Sequence, residues 1–314
     1  MTHATQILDV RRGTTLSLTD PTELAVFTFL ARYTGSTWAN YKLDMKVYLG
    51  WCMAHDVKPL EAQRGHLELY TRWLEETISP KTHRKLTPAT VSRRLGTVIL
   101  FYKYAAIDDY IGKNPAAAVS RPKVDHAQQR TPFLPPLAFA AVLRESRSMG
   151  PMAHATVALL GMTGLRVAEA CSLNVESVGV DGGYEVIRYI GKGNKGATTP
   201  LPVPVMHAVH AAIGPRTTGP LLLNRWGNRM TQACAARVVR TAMKRAGLDT
   251  DCTPHGLRRT FCTSGLLQGV PLRKMQVAMR HANPSTTALY DKSGDNLATH
   301  AAHEVAGYLS SMAG

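Results

Sequence analysis

Cysteine is scarce in this chain and poorly spaced for pairing. Its five cysteines, at positions 52, 171, 234, 252 and 262, form an odd set with no CxxC pair, which argues against a disulfide framework and against a zinc knuckle. Cys252-x2-His255 and His300-x2-His303 resemble half-sites for a metal, but neither has a convincing second pair. Long apolar runs are lacking too: no stretch approaches the roughly 20 residues of a membrane-spanning helix. The start, MTHATQILDVRRGTT, has no apolar leader core, so a soluble, intracellular, cytoplasmic protein is expected. Acidic residues are the third shortage, 22 against 37 Lys and Arg, for a formal charge of +15. That surplus favours a polyanionic partner, nucleic acid first. No GxxxxGK[ST] phosphate loop is present, which makes nucleotide binding a poor reading. A metal-dependent nuclease is weak as well, because no carboxylate cluster accompanies the basic residues.

What is present is enough for two domains. The chain has 314 residues, 45% of them apolar, so substantial cores can be buried. Residues 1–20 are polar and aperiodic and read as a flexible arm. Four amphipathic helices are then predicted: residues 21–33, a longer one capped by Ser36 and ending near His55, residues 63–78 with Leu67, Tyr70, Trp73 and Leu74 inward, and one opened by Thr87 and Pro88. Arg93 and Arg94 fall on the outer side of that last helix. Four such helices can close a bundle over residues 21–119. Residues 120–132 hold almost nothing able to join a core and read as a linker. Arg121 and Lys123 there, like Arg84 and Lys85 in the basic loop before the fourth helix, suit contacts with a phosphate backbone.

From residue 133 to 314 a second domain is expected, mostly helical. Helices are predicted at residues 137–145, 152–160, 231–246, 255–267 and 272–280. Pro284 starts another that carries Tyr290, and a further helix runs over 295–309. Between them the period changes: residues 184–190, a glycine-rich turn, and residues 197–203 read as a β-hairpin. The fold class is therefore mainly α, with a small antiparallel sheet in the second domain.

The stretch from Thr253 to Lys292 concentrates residues able to act on a phosphate, in the pattern His255-x2-Arg258-x22-His281-x8-Tyr290. A phosphodiester repels nucleophiles, and its transition state carries more charge than its ground state, so catalysis without a metal needs fixed cations. Arginine's planar fork matches two non-bridging oxygens; Arg258 and Arg166, the latter just after a Thr-Gly break, are the candidates. Tyr290 is a candidate nucleophile once a positive field and the hydrogen bonds of His255 and His281 assist its phenol. Lys192, between two glycines at the hairpin tip, is placed to act as a general acid.

In order, Arg166, Lys192, His255-x2-Arg258, His281 and Tyr290 resemble the active-site signature of the tyrosine recombinase (phage integrase) family. TGLRVAEACSL, IGKGNK, HGLRRTFCT and RHANPSTTALY are similar to its successive boxes, and RLGTVILFYKYA with KNPA to its core-binding domain. The likeness spans residues 21–310. It implies a SAM-like core-binding domain and a catalytic domain on opposite faces of DNA, joined by the 120–132 strap, without room for a further arm-binding domain. It also implies that Arg166 and Arg258 clamp the scissile phosphate and that Lys192 protonates the leaving 5′ hydroxyl. His255 would assist proton transfer at the nucleophile, His281 would hydrogen-bond the phosphate, and Tyr290 would form a 3′-phosphotyrosine bond. Neither ATP nor an obligatory metal is then expected. The implied partners are double-stranded DNA with a specific core site and three further copies of the chain, four protomers on two sites with a Holliday junction between them. The place of work would be the nucleoid, or the host cytoplasm for a phage protein. Arg280 stands where a glycine commonly precedes the histidine, Arg259 where a second histidine often follows the arginine, and Gly196-Ala197 where charges usually follow the turn. A type IB topoisomerase or telomere resolvase would use similar groups, and a non-catalytic DNA-binding regulator would account for the charge and the helices.

Overall fold

The computed structural model describes residues 20–80, 82–124, 132–191, 195–249, 252–281, 283, 287–288, 305–306 and 310. The chain divides into two compact units, Met1–His126 and Ala127–Gly314, a division that falls inside the segment expected to be a linker.

Among the described residues the first unit holds four α-helices: α1 (Pro21–Ala31), α2 (Gly35–Ala54), α3 (Arg64–Glu76) and α4 (Pro88–Ile107). Their starts follow from local chemistry. Asp20 accepts the Thr22 and Glu23 amides before Pro21, and Thr87 accepts the Thr90 amide ahead of Pro88, so orphan amides are capped and proline sits where no donor is needed. Ser36, expected as a cap, lies inside the first turn; Thr34 holds the cap position with Gly35 after it at φ 59°. The core is aromatic, with Phe29, Tyr48, Tyr70, Phe101 and Tyr102 all buried. Tyr102 donates to the Pro59 carbonyl at 2.7 Å, which makes Tyr48 the donor in the 2.5 Å bond between the two phenols. Both hydroxyls are thereby satisfied inside the bundle.

One expectation fails in this unit and another holds only in part. Trp73 is 38% exposed; it stacks on Tyr70 at 5.8 Å and shields that ring from outside. Arg93 and Arg94 do not simply face outward. Asp44 of α2 is wholly buried and accepts from Arg93 and, at 2.9 Å, from Thr97, while Arg94 carries an enclosed Nε with no hydrogen-bond partner. A carboxylate in the core draws the near guanidinium inward because burying it uncompensated is costly.

The second unit comprises α5 (Pro136–Ser148), α6 (Pro151–Met162), α7 (Val167–Ser172), β1 (Val178–Asp181), β2 (Tyr184–Ile190), β3 (Gly196–Pro200), α8 (Val203–Ile213), α9 (Gln232–Arg245), α10 (Pro254–Leu267) and α11 (Leu272–Met279). Helix α6 is buried from Ala153 through Gly161 and packs against α5, α7, α8, α9 and α10, which is why its sequence is apolar on every side. The sheet has the order β1-β2-β3, antiparallel throughout. Strand β1 was not expected. It pairs with β2 across Gly182-Gly183, both at positive φ, the conformation that a two-residue hairpin turn demands. The last strand ends at Pro200 instead of reaching Val203, because Pro202 and Pro204 remove ladder donors and suit a helix start, and α8 begins there. The helices expected around Tyr290 and over 295–309 fall almost wholly outside the described residues. No helix among the described residues is long and apolar enough to cross a membrane.

Candidate active site

Arg166 occupies the N-cap position of α7 in extended conformation. Gly164, two residues earlier, makes this possible: at φ 64° it turns the chain out of α6, and a Cβ there would lie 2.5 Å from the Phe261 ring and 3.1 Å from Met279 Sδ. Only a glycine fits both the backbone and the space. Arg166 is then held by Glu169 one turn on. The Arg166 amide donates to Oε2 at 2.7 Å and its Nη1 to Oε1 at 2.9 Å. Glu169 is 5% exposed, whereas the Arg166 side chain stays 31% exposed, so a buried carboxylate aims a partly open guanidinium.

Helix α10 brings the next pair. Thr253 caps it by accepting the Gly256 amide, with Pro254 at its start. Gly256 permits close approach, since a Cβ would stand 2.4 Å from Cys252 Sγ and 2.5 Å from the Pro132 carbonyl oxygen. His255 and Arg258 lie on the first turn. Arg258 is 2% exposed, and its two terminal nitrogens donate to the Gly164 and Met279 carbonyls. The guanidinium thus ties the turn before Arg166 to the end of α11. Arg259 turns elsewhere: it is buried, with its guanidinium 5.6 Å from the centre of the Phe133 ring.

Helix α11 ends at Arg280, which adopts the left-handed conformation, φ 50° and ψ 47°. The His281 amide bonds the Gln276 carbonyl at 3.1 Å, and its Nδ1 lies 2.8 Å from the hydroxyl of buried Thr287. Arg280, where a glycine is common, thus closes the helix with a defined left-handed turn.

Electrostatics joins these residues. Desolvation, then the charges of Arg258 and Arg166, then His255, push the His281 pKa down to about 4. His255 is exposed as a residue, yet desolvation, followed by the charges of Arg258, Arg166 and Arg259, lowers its pKa as well. At neutral pH His281 is therefore a neutral ring in a positive field. Such a group donates and accepts hydrogen bonds without adding charge.

Four of the six expected catalytic residues, Arg166, His255, Arg258 and His281, thus come together. Lys192 and Tyr290 lie outside the described residues; the segment that contains Lys192 is bounded by Gly191, whose amide bonds the Lys195 carbonyl at 2.8 Å. Sequence reasoning did not single out Glu169, although its spacing of three after Arg166 is the signal of an N-terminal carboxylate reaching back to its own helix start. Among the described residues no group of three or more His, Cys, Asp or Glu is placed to hold a metal ion. Of the expected backbone contacts, Lys85 pairs with Glu76 at 2.5 Å and Arg121 packs against Gly96 of α4; Arg84 and Lys123 are exposed.

Comparison with known proteins supplies an independent line. The model of the phage integrase family matches residues 140–296. The chain is 30% identical over 262 residues to the tyrosine recombinase XerC of Pelobacter propionicus, covering 81% of this chain and 83% of that protein. It is 28% identical to the tyrosine recombinase XerD of Corynebacterium glutamicum, covering 81% and 86%. Among solved structures, a lambda integrase dimer bound to a core site aligns with a TM-score of 0.69 at 15% identity, over 90% of this chain and 98% of that one. The Tn1549 transposon integrase in complex with circular intermediate DNA gives 0.68 at 19% identity, over 89% and 98%. At these identities the structural likeness speaks for the fold.

Proposed function

The chain belongs to the phage integrase family of tyrosine recombinases, and from that premise we propose that it is a site-specific DNA recombinase working through a covalent phosphotyrosine. The observation that carries this reading is the meeting of Arg166, Arg258, His255 and His281 from three separate elements, with His281 held neutral beside two guanidiniums. Arg166 and Arg258 hold the non-bridging oxygens of one phosphate and stabilise the extra charge of the transition state, Arg258 only as far as the Gly164 and Met279 carbonyls leave its fork available. His281 adds a neutral hydrogen bond to the same phosphate. The Tyr290 oxygen attacks phosphorus while His255 assists departure of the phenol proton. The bond from phosphorus to the 5′ oxygen breaks, and Lys192 supplies that oxygen with a proton. The 3′-phosphotyrosine conserves the bond energy, so a 5′ hydroxyl from a second duplex reverses the step, and two rounds pass through a Holliday junction.

The unit Met1–His126 acts as the core-binding domain, with Arg84, Lys85, Arg93, Arg94, Arg121 and Lys123 as backbone contacts. Arg93 serves only as far as Asp44 leaves its guanidinium available. Four protomers assemble on two DNA sites, in the cytoplasm at the nucleoid or in the host of a phage. The charge of +15 makes binding fall with salt, the slope counting the phosphates neutralised.

The test is a trap. The protein is incubated in EDTA with nicked duplexes prepared from the source organism's genomic DNA, and the DNA that stays attached after denaturation is sequenced. The expected result is a 3′-linked adduct on one recurrent core site. Tyr290→Phe retards the same duplex yet traps nothing; an adduct that survives this substitution would overturn the nucleophile assignment.

A further inference from the structure

We infer that Arg280, through the carboxylate of Glu169, is a positioning residue for Arg166. This rests on the recombinase reading above for its functional half but not for its structural half.

Arg280 stands in a backbone conformation that glycine adopts freely and that side-chain-bearing residues seldom do, at a helix end where glycine is the usual solution. A side chain retained there has something to hold. Its Nη2 donates to Glu169 Oε2 at 2.8 Å, and the same oxygen accepts the Arg166 amide at 2.7 Å while Oε1 accepts Arg166 Nη1 at 2.9 Å. The carboxylate is therefore gripped from two sides and cannot rotate without breaking a bond to one guanidinium. The other contacts of Arg280 point the same way. Its guanidinium lies over the Tyr189 ring at 4.5 Å, and its Nε and Nη1 are enclosed without a hydrogen-bond partner. Glu169 is thus the polar anchor of a side chain that is 24% exposed. Burial and the nearby Arg166 lower its pKa despite that anchor, the expected response of two like charges sharing one carboxylate. The effect reaches Arg166 because its guanidinium hydrogen-bonds the same carboxylate and its side chain is the more open of the two, at 31%. A displacement of about 1 Å in such a group costs on the order of a hundredfold in rate.

The discriminating variant is Arg280→Gly, which removes the side chain and also relieves the left-handed backbone, so that stability and positioning are separated. Arg280→Lys keeps one donor toward Glu169. Hydrogen exchange followed by mass spectrometry, without DNA, should show faster exchange in the peptide over residues 163–172 for Arg280→Gly, with α6 and α9 unchanged. On the core site recovered by the trap, single-turnover adduct formation should fall at least tenfold with DNA affinity within about threefold and a melting temperature close to that of the wild type. Arg280→Lys should recover part of the rate. Unchanged exchange in 163–172, or an undiminished rate, would overturn the inference. So would parallel losses of affinity and rate, which would make Arg280 a phosphate contact, or a collapse of stability unrescued by lysine, which would make it a packing residue. A wild-type protein that traps no adduct would count against the recombinase reading alone, since the exchange measurement still decides the coupling.

Discussion

Replacing His281 by glutamine should remove a specific part of the protein's acid sensitivity. The ring is neutral in the folded state, with a pKa near 4, because desolvation and the Arg258 and Arg166 charges oppose its protonation, whereas an unfolded histidine titrates near 6.5. Above the unfolded value the group contributes nothing to pH dependence. As the pH falls through about 6.5 the unfolded chain takes up a proton that the folded chain refuses, so stability is lost until about pH 4 and is level below that. At pH 5 this is roughly 1.5 pH units of differential protonation, about 2 kcal/mol, and solvent reaching a ring that is only partly buried reduces it to about 1–2 kcal/mol. Glutamine can still meet the Thr287 hydroxyl and does not titrate. Urea unfolding of both proteins at pH 8 and pH 5 gives the difference of differences, from which the titrating groups that do not interact with His281 cancel; His255, whose charge acts on His281, is held fixed by making the same comparison in a His255→Gln background. Wild type should lose about 1–2 kcal/mol more than His281→Gln on acidification. Equal losses, or a His281 ring resonance titrating at pH 6 or above, would show that the field described here does not act on it.

Further outcomes follow from other contacts. Glu169→Gln leaves the Arg166 and Arg280 guanidiniums without their shared charge and should cost about 2–3 kcal/mol in urea unfolding, discounted for their partial exposure. A variant as stable as the wild type would deny that the carboxylate holds the pair. Gly164→Ala introduces a left-handed alanine whose Cβ meets Phe261 at 2.5 Å and should cost about 2–4 kcal/mol, measured by the urea midpoint. Arg258→Lys loses the fork that reaches the Gly164 and Met279 carbonyls and should lower adduct formation by about a hundredfold or more, read in the trapping assay with duplex affinity measured beside it.

The helices were legible wherever period and capping agreed. Thr87-Pro88 marks a helix start that the structure keeps, and the helix expected from His255 begins one residue earlier, at Pro254 behind its Thr253 cap. What escaped notice lay where periodicity is weak. Strand β1 is four residues long and announced only by its Gly-Gly turn, and α8 starts inside the strand expected over 197–203, just behind Pro200 and Pro202. The basic and histidine members of the candidate site stand out by spacing because phosphate chemistry needs cations in recognisable numbers. Glu169 stands at the spacing of a helix-start carboxylate, but a lone acid on a short helix also reads as a solvated residue until its burial is seen. Arg280 was noticed as a departure from a glycine, but what it reaches depends on the tertiary approach of α11 to α7, which no local pattern encodes.

Asp44 has a consequence for how the first unit finds its register. Helices α2 and α4 are each twenty residues long and offer each other mostly aromatic and aliphatic surface, which by itself tolerates sliding. A shift of one helical turn, about 5.4 Å, would carry Asp44 away from Arg93 and Thr97 and leave a buried carboxylate uncompensated. An apolar residue of similar volume would often serve stability as well or better. The carboxylate acts as a detent: it makes the offset alignments costly and the observed one unique, so that the basic loop and Arg93 keep a fixed place along the bundle.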